Sequence, residues 1–206
     1  IMMKKLDLSP NFSKKARKKK DIKFVIIHYT GMQSEIESLK RLKNTYSKVS
    51  CHYFINKKGE IIQMVRENAV AWHAGKSKWG VFKNLNEFSI GIELVNKGQK
   101  FGYENFPTPQ IRSLIKICKF LKKKYRIKKE NFLGHSDIAP LRKNDPGKKF
   151  PWKTLSKVDL GTWYDLKKVN LNRNEKNINL FFKNIYKIGY RYFSLERRSK
   201  KDKLVI

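Results

Sequence analysis

The chain has 206 residues, enough for one domain of ordinary size with a small appendage. Hydrophobic residues make up 40%, which excludes wholesale disorder; no uncharged apolar run reaches the roughly 18 residues of a membrane span, and two cysteines outside any CxxC pair exclude a disulfide framework. The formal charge of +31 would suit a polyanion, but lysine is spread over nearly the whole chain beside frequent Asn and Ile, as an AT-rich genome would write it, so a nucleic-acid partner is not expected.

Residues 1–21 read as a basic, weakly ordered lead-in. No apolar segment of a secretory signal follows its lysines, and on that absence a cytoplasmic location is expected, with the periplasm or outer membrane as alternatives if the true start lies upstream. KFVIIHYT (23–30) is a short β-branched apolar run, the pattern of a buried strand, with His28 near its end. Ser34 followed by Glu37 forms a capping box, and Ile36, Leu39, Leu42 and Tyr46 then recur at helical spacing. In SCHYFINKKGEIIQMV (50–65) two apolar stretches flank Lys57-Lys58-Gly59, a β-hairpin in which glycine supplies the positive φ. Residues 66–87 lack periodicity and read as a long loop of the kind that carries function. SIGIELVN (89–96) is a second buried strand. Thr108-Pro109 opens a helix with proline in its first turn, and Ile111, Leu114, Ile115, Cys118, Leu121 and Tyr125 make its buried stripe. FLGH (132–135) is a short strand ending at His135, followed by a loop rich in charge and proline (136–152). Strands alternating with amphipathic helices predict an α/β domain with a mixed central sheet flanked by helices over 22–163. A polar linker (169–177), a final amphipathic helix bearing Ile178, Phe181, Phe182 and Ile185 with Gly189 as its cap, and a frayed SKKDKLVI complete a tail over 164–206.

The chain has four histidines, His28, His52, His73 and His135. His28 and His135 sit at the carboxyl ends of predicted strands, where α/β folds place their sites, and Asp145 follows His135 by ten residues. Two imidazoles and one carboxylate suit Zn²⁺ with a fourth position left open. From spacing alone, however, a strand-end histidine reads first as a satisfied polar core residue.

Five segments read together change that. IIHYT (26–30), SCHYFI (50–55), AWHAG (71–75), SIGIELVN (89–96) and GHSDIAPLRKNDPG (134–147) resemble, in order and spacing, the type 2 N-acetylmuramoyl-L-alanine amidase family, the AmpD- and AmiD-like group related to peptidoglycan recognition proteins, with closest likeness to the AmiD branch. The resemblance covers about residues 22–163. It implies one Zn²⁺ per chain held by His28, His135 and Asp145, with Glu93 as catalytic acid–base and Lys143 as the cation that stabilises the oxyanion. It implies hydrolysis of the amide between N-acetylmuramic acid and L-alanine in peptidoglycan or muropeptides, in wall turnover or recycling. His73, with Trp72 and Trp79 shaping the walls, is expected to line the substrate groove. Leu85 and Asn86 occupy positions near the substrate peptide, and Arg142 could hold one of its carboxylates. His52 is read as a packed residue behind the site and Cys51 as a buried substitution. A monomer is expected. The tail looks like a shortened remnant of the helical wall-binding domain of AmiD-like proteins. The alternative is a non-catalytic peptidoglycan-binding protein, although relatives of that kind typically lose a metal ligand and this set is complete.

Overall fold

The computed structural model describes residues 5–164 and 177–196, together with Ser199 and Asp202. In chain order its elements are β1 (Lys5–Leu6), β2 (Phe12–Ser13), β3 (Phe24–Tyr29), α1 (Glu35–Lys43), β4 (Tyr53–Ile55), β5 (Ile61–Gln63), β6 (Val70–Ala71), β7 (Lys78–Trp79) and β8 (Phe82–Lys83). There follow β9 (Ser89–Leu94), α2 (Thr108–Tyr125), β10 (Phe132–Gly134), α3 (His135–Ile138), α4 (Trp152–Ser156) and α5 (Asn177–Ile188). Six strands form the central sheet in the order β1-β5-β4-β9-β3-β10. Only β4 and β5, the arms of the hairpin, pair antiparallel; the other neighbours are parallel, so the expected mixed sheet is present.

The two-residue period of a strand divides the core between the sheet faces. Val25, Ile27, Tyr53, Ile55, Ile90, Ile92 and Leu94 point to one face and pack on Ile111, Leu114, Ile117, Cys118 and Leu121 of α2. Fully burying such a side chain stabilises the fold by about 1.5–3 kcal/mol, so α2 is fixed chiefly by this stripe. Ile117 joins it where Ile115 and Tyr125 are only partly buried. Gly59 turns the hairpin at φ 86° against the start of α2, where a Cβ would lie 2.6 Å from the Pro109 carbonyl oxygen. On the opposite face Phe24, Ile26 and Leu133 pack with Leu85 and Ile138, and Phe54 packs with Leu42, Cys51 and Met64.

Three expectations are corrected. Residues 5–21 are not weakly ordered. β1 adds to the sheet edge beside β5, β2 pairs with β6, and Ser9, Asn11 and Arg17 are buried. The lysine-rich reading hid these short polar anchors, which act through hydrogen bonds such as Asn11 Nδ2 to the Asn44 and Val49 carbonyls rather than through apolar burial. In α1 the Ser34 cap receives the Glu37 amide as expected, but Ile36 and Tyr46 are exposed and only Leu42 of the predicted stripe is buried. The loop at 66–87 contains β6 and the small β7–β8 hairpin.

The final helix is present. Phe182 is buried while Ile178 and Phe181 are largely exposed. The Gly189 amide donates to the Ile185 carbonyl, and the Gly189 carbonyl accepts from the Gly80 amide. Residues 169–176 of the expected linker and most of the terminal SKKDKLVI lie outside the described residues, and Asn177 opens α5.

Candidate metal centre and active site

The strand alternation that buries Phe24 and Ile26 on the face away from α2 also sends His28 to that face. β9 runs parallel to β3 with His28 and Glu93 in register, so Glu93 stands beside His28. β10 flanks β3 on its other side and delivers His135 as the first residue of α3. The loop beyond α3 returns Asp145, whose carbonyl accepts from the Ser136 amide at 2.9 Å.

Nδ1 of His28 lies 3.0 Å from Nδ1 of His135 and 2.9 Å from Oδ2 of Asp145, and His135 Nδ1 is 3.1 Å from the same Oδ2. All three side chains are buried. The ligand atoms of a tetrahedral zinc ion, bonded at about 2.0–2.1 Å, stand about 3.3 Å apart, and this triangle is within a few tenths of an ångström of that. The donor chemistry fits as well. His135 Nε2 lies 3.0 Å from the Ala74 carbonyl, which can only accept, so Nε2 carries the proton and Nδ1 turns its lone pair inward. Burial and the neighbouring His135 push the His28 pKa down to about 4, keeping it neutral as a ligand must be. The described residues thus hold a cluster suited to one divalent metal ion.

A cavity of about 730 Å³ opens over this triangle, lined also by Glu93, Lys143, Trp72, His73 and Arg142. Glu93 Oε2 is shut off from solvent with no hydrogen-bond partner among the described residues. Its burial, followed by the charge of Asp145, raises the carboxyl to about 8 against the pull of Lys143 and Arg41. A carboxyl so placed can take and return a proton near neutrality.

Not every predicted groove residue is at the cavity. Trp79 packs instead against Tyr190, their ring centroids 4.8 Å apart, and a Cβ at Gly189 would lie 2.3 Å from its ring; it serves as the seat of the tail helix. Leu85 is fully buried in the core. Asn86 turns inward, its Oδ1 accepting from the amides of His73 and Ala74 at 3.0 and 2.7 Å. The groove expectation for these three is therefore corrected: apolar packing claims the first two and a backbone clamp the third. Arg142 reaches the cavity, with its guanidinium given to the carbonyls of Ala74 and Lys76, tying two loops together. His52 sits behind the site, accepting the Gly91 amide on Nδ1 at 3.0 Å. Cys51 is buried beside Met64, its thiol pushed well up by burial, which leaves it inert.

Sequence reasoning missed Arg17, buried and donating to the carbonyls of Glu67, Asn86 and Ser89. Burial lowers its guanidinium to about 10. Its one signal is being the sole arginine within KKARKKK. Arg41 and Lys100 at the cavity were missed too, hidden among many solvated cations.

The fold and this converged cluster define an α/β domain with a candidate site for one divalent metal ion. The chain belongs to the N-acetylmuramoyl-L-alanine amidase family, whose sequence profile matches residues 18–148. It is 43% identical over 161 residues to the N-acetylmuramoyl-L-alanine amidase AmiD of Escherichia coli, covering 72% of this chain and 57% of that protein. It is 33% identical over 163 residues to the 1,6-anhydro-N-acetylmuramyl-L-alanine amidase AmpD of Haemophilus influenzae, covering 70% and 86% of the two chains. Among solved structures, the Escherichia coli AmiD complex with the substrate anhydro-N-acetylmuramic acid-L-Ala-D-gamma-Glu-L-Lys superposes with a TM-score of 0.73 at 35% identity, over 87% of this chain and 75% of that one. AmpDh3 of Pseudomonas aeruginosa with anhydromuramic pentapeptide gives 0.72 at 29% identity, over 87% and 77%. The chain therefore spans little more than half the length of the AmiD relative.

Proposed function

We propose that this protein is a zinc-dependent amidase that cleaves the bond between N-acetylmuramic acid and L-alanine in peptidoglycan or its muropeptide fragments. The observation that carries the reading is the convergence of His28 Nδ1, His135 Nδ1 and Asp145 Oδ2 on one point, under a cavity that also holds the raised carboxyl of Glu93. His28, His135 and Asp145 hold the ion, which supplies Lewis acidity towards the scissile carbonyl and the attacking water. Glu93, which lines the cavity, accepts the proton of that water and returns it to the leaving L-alanyl nitrogen. The Lys143 ammonium offsets the negative charge that builds on the lactyl carbonyl oxygen, an effect of about 3 kcal/mol for one well-aimed donor in a site of this kind. Lys143, Arg41 and Lys100 outnumber the acids of the cavity, which suits a stem peptide bearing carboxylates. The substrate class also rests on the muropeptide bound by the AmiD relative. Residues 22–163 carry this chemistry and 164–206 form an appendage.

Incubation of the purified protein with muropeptides, with and without a chelator, followed by mass spectrometry, tests the reading. Release of an L-alanyl peptide that stops when metal is removed supports it. Intact substrate recovered with stoichiometric zinc still bound would replace it with a binding role.

A further inference from the structure

His73 does more than border the cavity. Its Nδ1 lies 3.0 Å from His28 Nε2, on the side of that ring facing away from the cluster, and its Nε2 lies 3.2 Å from Ser89 Oγ. Ser89 Oγ in turn bonds the Leu85 carbonyl. A carbonyl can only accept, and a serine hydroxyl has one proton, so the hydroxyl donates to Leu85 and must accept from His73. His73 is then protonated on Nε2, which leaves Nδ1 as the acceptor. His28 must donate from Nε2, and its Nδ1 lone pair is turned towards His135 and Asp145. The direction of every bond follows from one backbone carbonyl.

The ring is held as firmly as its protons. It lies so close to β9 that a Cβ on Gly91 would come within 2.3 Å of it, a close approach only glycine permits. The Asn86 side chain clamps the amides of His73 and Ala74, and the carbonyl of Ala74 is the group that orients His135. Adjacent residues of one loop therefore address both imidazoles, one through a side chain and the other through a carbonyl.

We infer that His73, anchored by Ser89, is a positioning residue for the metal centre, fixing the tautomer and ring orientation of His28 so that Nδ1 is presented to the ion. This rests on the zinc reading above. A neutral imidazole presents either nitrogen unless its other nitrogen is engaged, and losing such an outer partner typically weakens a metal site by about 10–100-fold.

The test compares the full chain with its His73→Phe, His73→Asn and Ser89→Ala variants by two readouts. These are zinc affinity by competition with a chromophoric chelator, and the protonation pattern of the His28 ring by ¹⁵N NMR of the metal-free protein. His73→Phe keeps a flat ring against Gly91 and removes the acceptor; it should bind zinc roughly 10–100-fold more weakly, with His28 no longer confined to its Nε2–H form. His73→Asn returns an acceptor near the Nδ1 position and should recover most of the affinity. Ser89→Ala keeps His73 and frees its direction, so His28 should show both tautomers with a smaller loss of affinity. It carries the test should His73→Phe fail to fold. Wild-type zinc affinity and an unchanged His28 tautomer in His73→Phe, or in Ser89→Ala if that variant alone folds, would overturn the inference and leave the amidase reading standing. Failure of the unaltered chain to bind zinc would overturn both.

Discussion

Replacing Glu93 by glutamine should cost turnover yet stabilise the metal-free fold at alkaline pH. The folded carboxyl is raised from 4.5 to about 8, first by burial and then by the charge of Asp145. Between those values the folded chain keeps a proton that the unfolded chain has released, so unfolding releases a proton and the contribution of Glu93 to stability declines as pH rises through that window. At ~1.4 kcal/mol for each tenfold change in proton affinity, the ceiling on this loss is ~5 kcal/mol. Most of it falls between pH 5 and pH 8. Glutamine has the same shape and no charge to bury, and its amide leaves a buried donor without a partner, a cost that does not vary with pH. Urea unfolding of metal-stripped wild type and Glu93→Gln at pH 5 and pH 8 should therefore show the difference moving in favour of the variant by about 2–4 kcal/mol at the higher pH. A difference independent of pH would mean that Glu93 ionises as a solvated carboxyl does, and its role as a proton carrier would fall.

Asp145→Ala removes one corner of the ligand triangle and should abolish both zinc retention, read by metal analysis after gel filtration, and muropeptide cleavage; Glu93→Gln should lose cleavage alone. Leu114→Ala cuts the centre of the α2 stripe and should cost about 2–5 kcal/mol in chemical denaturation, with zinc stoichiometry unchanged because the ligands stand on the opposite sheet face. Arg17→Met leaves the carbonyls of Glu67 and Ser89 without their buried donor and should lower stability by about 3 kcal/mol or more, measured as a fall in unfolding midpoint, although Arg17 is far from the cavity in sequence and absent from its lining.

The strand and helix frame was legible because its signals are local. Short apolar runs at 23–30 and 89–96, a proline-opened helix at 108 and a glycine hairpin each declare themselves within a few residues, and each is present. The expected metal set came from the family resemblance, and what no local pattern could give was register. That His28 and Glu93 are neighbours depends on β3 and β9 pairing in parallel, a long-range choice. The same limit explains the groove residues. Trp79 and Leu85 have the composition of a substrate wall, but whether an aromatic faces a cavity or seats a helix depends on the tail packing beside it. The N-terminal anchors were missed for the opposite reason. Ser9, Asn11 and Arg17 act through side-chain hydrogen bonds to distant carbonyls, which leave no periodic trace in the sequence.

X-ray absorption at the zinc edge of the reconstituted protein tests the central claim most directly. Two imidazole nitrogens and light oxygen scatterers at about 2.0–2.1 Å, without sulfur, are predicted. A sulfur scatterer from Cys51 or Cys118, or a protein that takes up no zinc, would contradict it.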